Sequence, residues 1–141
     1  MAFIVKPIET IKLPLIIHVP SELGNFAEND LVVTWKYLDE DARIAISEEL
    51  NNSRREYNAA MKAYAAGDQD EPPTVSLTDK DLCERLVVNI EGMLTPEGEE
   101  IPYTPDVLGQ LFKMNYVAKP LGEQLLSIIN GAAAIKDLEK N

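Results

Sequence analysis

The sequence predicts an α+β fold that is mainly α: a small N-terminal antiparallel β-hairpin or sheet followed by about four helices. Three observations carry this. Apolar, largely β-branched runs crowd the first 38 positions, and apolar residues recur at helical spacing through most of the rest. A chain of 141 residues with 45% hydrophobic and 26% charged content matches an ordinary globular domain. It reads as a single domain over 1–141, with a β-rich part at 1–38, a helical part at 39–141 and a polar linker near 67–77.

Ile11–Lys12–Leu13 and Leu15–Ile16–Ile17–His18–Val19 make the first strand, bounded by Pro20. Pro14 has no amide proton for a ladder, so this strand belongs at an edge or carries a bulge. Ser21–Asn25 is turn-like. Leu31–Leu38 is the second strand, with Val33, Trp35 and Tyr37 on one face and Thr34 and Lys36 on a wet one.

Asp39–Glu40–Asp41 supplies a helix start, because carboxylates there oppose the positive end of the helix dipole. Ile46, Leu50, Tyr57, Met61 and Tyr64 follow at helical spacing, so a helix is expected from about Asp41 to Ala66, stopping at Gly67. The polar, proline-ended stretch from Gly67 to Pro73 is the place where the chain could hinge. Thr78 with Asp81 is a capping pattern, and Leu82, Leu86 and Ile90 then fall on one helical stripe. Pro96–Glu97–Gly98 is a tight turn, Ile101–Pro102–Tyr103 is extended, and Thr104–Pro105 starts another helix with Leu108, Leu111 and Phe112 on its apolar side.

A last helix is expected to begin near Lys119–Pro120. Leu121, Leu125, Ile128, Ala132 and Ile135 alternate spacings of four and three, a seam that Ile129 and Leu138 widen. Asn130–Gly131 weakens its middle, since glycine costs about 1 kcal/mol relative to alanine in a helix. This stripe either packs into the domain's own core or docks a partner helix or a second copy. On the second reading Leu121, Leu125, Ile128, Ile129 and Ile135 are the partner-binding residues.

Charge narrows the function classes. The net charge is −11; residues 39–71 carry 9 acidic and 4 basic groups, and residues 72–103 carry 7 and 2. Such a chain repels phosphate, so nucleic acid and anionic membrane surfaces are poor partners. No apolar run approaches the roughly 20 residues of a membrane helix. The first residues lack the basic region and cleavage site of a signal peptide, so a cytosolic location is expected. One cysteine excludes an internal disulfide, and one histidine leaves too few ligands for a zinc site. No cofactor or metal is expected.

The residues that bear chemistry have plain alternatives. His18 could serve as a general base, but no Ser, Cys or Asp stands near it in sequence, and an edge-strand histidine is the simpler account. Cys83 lies in the first turn of a helix, which lowers a thiol pKa, yet Asp79, Asp81 and Glu84 around it raise it. Asp39–Asp41 and Asp68–Glu71 lack the spacing of a calcium loop and read as a solvated cap and a solvated linker. Arg54, Arg55 and Tyr57 sit among Glu48, Glu49 and Glu56, which suits ion pairing along the helix better than nucleic-acid binding. Gly92, Gly98 and Gly122 stand apart and form no phosphate loop. No constellation supports an enzyme.

The order of segments nevertheless has a pattern. An opening hairpin leads to Leu31–Val32–Val33–Thr34–Trp35–Lys36–Tyr37–Leu38 and a helix. Asp81–Leu82–Cys83–Glu84–Arg85–Leu86–Val87–Val88 follows, then Glu91–Gly92–Met93 and the Pro96–Glu97–Gly98 turn. Ile101–Pro102–Tyr103–Thr104–Pro105–Asp106–Val107–Leu108 and a terminal helix complete it. This resembles the tail assembly chaperones of long-tailed phages, most tellingly over Leu82–Leu111. Family members often carry a tryptophan shortly after the Val-Val pair, where this chain has Ile90.

The resemblance implies a non-enzymatic protein of the bacterial host's cytoplasm, absent from the finished virion. Its partners would be the tape-measure protein, whose apolar-striped helical chain it keeps soluble, and the tail-tube protein, whose subunits it helps recruit. Self-association is compatible with that role. A programmed frameshift near the end often makes a longer second product in this family, and Glu139–Lys140–Asn141 is compatible with an adenine-rich slippery run. Two other readings compete: an acidic inhibitor that mimics nucleic acid and blocks a basic protein, and a structural tail subunit.

Overall fold

The computed structural model describes residues 2–131. The apolar-rich N-terminal stretch folds as a long hairpin of β1 (Thr10–Pro20) and β2 (Phe26–Lys36). There follow α1 (Glu40–Ala65), α2 (Asp79–Leu86), β3 (Val87–Glu91), α3 (Pro105–Leu111) and α4 (Asn115–Asn130). The sheet has the order β1-β2-β3, with both pairings antiparallel. The fold is therefore α+β, with four helices and a three-stranded sheet among the described residues.

Pro14 lies in β1, opposite Val32, on the edge strand where its missing amide proton does least harm. Alternation then sorts the two long strands. Leu13, Leu15 and Ile17 of β1 and Leu31, Val33 and Trp35 of β2 are all buried on the face that meets the helices. Tyr37 lies beyond β2 and is exposed, so the apolar face ends at Trp35. Thr34 is not wet as expected: it is buried, and its hydroxyl is the one buried side-chain oxygen without a partner among the described residues.

The helix starts follow their caps. The Asp39 side chain accepts from the Ala42 amide at 2.8 Å, and α1 ends at the residues anticipated, with Gly67 at φ +80° just beyond. In α2, Thr78 and Asp81 form a reciprocal capping box, and the bonds from Thr78 lower the Asp81 pKa. Thr104 caps α3 with Pro105 in its first turn. The first half of α1 rests Ile46 and Leu50 on the core, while Met61 and Tyr64 near its end are exposed. The buried Ser53 hydroxyl lies 2.9 Å from that of Ser76 and accepts from the Leu77 amide at 3.2 Å, which ties the chain just ahead of α2 to α1.

Two elements depart from expectation. The helix begun at Asp79 stops at Leu86, and Val87–Glu91 becomes the third strand. β2 offers an open edge, Val33 pairs with Ile90, and the β-branched Val87–Val88 pair suits a pleated surface, so tertiary pairing overrides the helical spacing. The last helix starts at Asn115, not near Pro120, and holds Pro120 inside it. Its start is silent in the sequence because Met114 caps it with no side-chain bond.

One buried cluster joins the sheet face to Leu82, Cys83 and Leu86 of α2, Leu108 of α3 and the inner side of α4, which packs chiefly on β1. Inside it Gln124 of α4 is buried. Its Oε1 accepts from the Trp35 indole N–H at 2.8 Å, and its Nε2 donates to the Pro14 carbonyl at 2.9 Å. Only one orientation of the amide satisfies both partners.

Gln124→Leu leaves the buried Trp35 donor and the part-buried Pro14 acceptor unpaired and should cost about 1–3 kcal/mol in urea unfolding. With Trp35→Phe added, the double variant should lose less than the two single losses together, by at least about 0.5 kcal/mol. Strict additivity would show that the amide and the indole do not act as a pair.

Candidate functional site

The apolar stripe near the C-terminus is core. Leu121 and Leu125 are fully buried, Ile128 and Ile129 are 3% exposed, and all four belong to the cluster that covers the sheet. Burial of each such side chain is worth about 1.5–3 kcal/mol to the fold, and none presents a surface to a partner. This corrects the assignment of Leu121, Leu125, Ile128 and Ile129 as a docking face. Ile135, the fifth residue of the stripe, lies outside the described residues.

The other chemical candidates do not come together. The His18 side chain is exposed on β1, its Nδ1 4.0 Å from Glu28 Oε1 across the hairpin. Cys83 is buried in the core, and burial, followed by the charges of Asp79 and Glu84, pushes its thiol up to about 12. Asp39 is used as a cap, and Glu40 pairs with Arg43 on the same helix. Arg54 and Arg55 are exposed and take part in no ion pair among the described residues; α1 instead reaches α2 through Glu49 and Arg85, 2.9 Å apart. No group of three or more His, Cys, Asp or Glu side chains converges as a metal-ligand set among the described residues.

What the fold does build is an apolar groove. It opens where the hairpin turn of β1 and β2, the loop after β3 and the junction of α3 with α4 meet. Its volume is about 250 Å³, and its walls are chiefly Ile17, Val19, Leu31, Leu94, Ile101, Leu111, Met114 and Tyr116. Asn29 and Gln110 supply the side-chain amides among its walls. The Tyr116 hydroxyl donates to the Met114 sulfur at 3.1 Å, which orients both side chains.

The outer wall is a small hairpin over residues 93–101. The Ile101 amide donates to the Met93 carbonyl at 2.8 Å, and Leu94 bridges Glu100. The Gly98 turn closes it through the Thr95 carbonyl at 2.9 Å, while the Thr95 hydroxyl accepts from the Glu99 amide at 3.1 Å. Gly92 sets this hairpin against the sheet: a Cβ there would stand 2.9 Å from the Asp30 carbonyl oxygen, at a φ of +101° that side chains rarely adopt. Leu94 is left 59% exposed at the groove's lip, and Glu97, Glu99 and Glu100 are exposed on the same hairpin.

These groove residues share no single periodicity, because they come from two strand ends, a turn and a helix junction. Their local signal is slight: Leu94 and Ile101 flank the Pro96–Glu97–Gly98 turn as isolated apolar residues. The arrangement sets an apolar cleft next to a hairpin that carries three exposed glutamates. Comparison with known protein families, with curated proteins and with solved structures finds no match for this chain.

The buried thiol makes a testable statement about pH. Its stabilising contribution is complete below the unfolded thiol's pKa, about 8.5–9, and is lost as pH climbs toward the folded value near 12. The urea midpoint of the native chain should therefore fall more steeply above pH 9 than that of Cys83→Ala. Iodoacetamide should modify Cys83 only as fast as the domain opens.

Proposed function

We propose that this chain is a non-enzymatic tail assembly chaperone that holds the apolar-striped helices of a tape-measure protein in solution. The observation that carries the reading is the apolar groove beside the glutamates of the 93–101 hairpin. An amphipathic helix presents apolar side chains at one-turn spacing, and a groove of this kind takes such anchors one at a time. Many weak sites along a long client then add through avidity. The net charge of −11 keeps a complex with exposed apolar segments soluble. The order of segments from the opening hairpin to Thr104–Pro105 supports the same reading. In this role the protein works in the host cytoplasm, helps recruit tail-tube subunits and leaves before the virion is complete.

The client-binding residues in this reading are those of the groove, Leu94 above all, and not the buried stripe of α4. No helix among the described residues is long and apolar enough to cross a membrane, which agrees with a chaperone working in solution.

The test is co-expression with the tape-measure protein of the same genome, followed by pull-down in low and high salt. The expected result is a soluble complex that survives high salt, with the tape measure insoluble alone, because apolar contacts are not screened. Leu94→Glu should weaken capture about tenfold or more while leaving the fold intact. No complex, with the tape measure unaffected, would contradict the reading; salt-sensitive capture of a basic protein would favour the acidic inhibitor instead.

A further inference from the structure

The long helix α1 outruns the core that its first half packs on. Ile46 and Leu50 rest on that core, and among the described residues no hydrophobic side chain between Leu50 and Leu77 joins it. From Ser53 to Ala66 the helix runs about 20 Å at 1.5 Å per residue. The chain turns at Gly67 and comes back to Ser76, whose hydroxyl lies 2.9 Å from that of Ser53. Helix and linker thus make one projection, with its base at Ser53 and its tip at residues 67–71.

The two ends of this projection carry opposite charge. Arg54 and Arg55 stand at the base, and Asp68, Asp70 and Glu71 at the tip. All five are exposed, and none is in an ion pair among the described residues. The arginines have no charged neighbour along the helix either. The positions three and four residues from them hold Leu50, Asn51, Asn52, Tyr57, Asn58 and Ala59. The Asp68 amide donates to the Ala63 carbonyl at 2.9 Å and so stays at the helix end. That is about 15 Å along the axis from Arg55, farther than the two side chains reach. Between the ends, Met61 and Tyr64 are exposed, and Arg54 lies two turns from Met61 on the same face.

The pattern is complementary to itself. The midpoint between the two charged ends falls close to Met61. A two-fold axis there sets the arginines of one copy against the carboxylates of the other at both ends. It also brings Met61 and Tyr64 of the two copies together. One segment therefore supplies both members of every pair, which selects a second copy of this chain as the occupant.

We propose that the chain forms a two-fold dimer through this projection, with the two α1 helices antiparallel. Such a contact is isologous and closes at two copies. An overlap of about a dozen residues a side falls short of the roughly 20–30 of a standard interface, so the dimer is weak. The inference stands apart from the chaperone reading: its test uses this chain alone, and either can fail without the other.

The test is the mean mass of the full chain by sedimentation equilibrium. The native chain should rise from monomer toward dimer mass between about 10 μM and 1 mM, and no further. Arg54→Glu with Arg55→Glu makes both ends acidic; Asp68→Lys with Asp70→Lys makes the base and tip both basic. Each of these variants alone should stay monomeric over that range, and an equal mixture of them should pair. A chain with all four changes keeps the net charge of −11 and reverses the two ends, so it should dimerise as the native chain does. All four positions are exposed, and circular dichroism should match the native chain throughout. A native chain that stays monomeric to about 1 mM would overturn the inference. So would either two-site variant associating as the native chain does. A mixture that does not pair, or a four-site variant of native circular dichroism that stays monomeric, would overturn it equally.

Discussion

Gln124 is the group on which the packing of this domain turns. The helix that crosses the sheet covers the Trp35 indole and runs close to Pro14, so it meets a buried N–H and a part-buried carbonyl. A single amide satisfies both, the oxygen accepting and the nitrogen donating. That requirement fixes the rotation of α4 about its axis. With residue 124 inward, Val117, Leu121 and Ile128 lie on the same face at helical spacing, and all three are buried. The long apolar stripe is thereby committed to the core. A buried polar pair is weak as a source of net stability but strong as a constraint on register, because the alternatives leave unpaired groups in a dry interior.

The groove follows from that commitment. Once α4 has turned the side that carries Leu121 and Leu125 inward, an apolar cleft remains where several elements end. The start of α4, the end of α3 and the turn of the long hairpin do not close on one another, and the gap is the groove. Gly92 stands the acidic hairpin beside it, at a backbone approach that no side chain tolerates. In the proposed function apolar walls would give affinity and the carboxylates orientation.

Much of the fold was legible because local chemistry decides it. Asp39, Thr78 and Thr104 cap helices wherever they are placed, and Gly67 ends α1 because it alone accepts the left-handed turn. Pro14 on an edge strand is equally local. Long-range competition decides the rest. Ile90 fits a helical stripe with Leu82 and Leu86, yet the open edge of β2 takes it as a strand. Pro120 has the form of a first-turn proline, but α4 starts earlier because Val117 has a place in the core. The stripe of Leu121 and Leu125 is periodic, and periodicity says that a face is covered without saying by what. The groove was hidden for the opposite reason: its residues share a place in space and no period in sequence.

The helix α4 is part of the core, and the proposed function places the client in the groove at its start. Native-state hydrogen exchange of the free protein tests it directly. If the claim holds, the amides of α4 from Leu121 to Ile129 exchange only with those of Val33 and Trp35, through opening of the whole domain. Opening of α4 at a lower free energy, with the sheet still protected, would show a helix held loosely for a partner and would contradict the account.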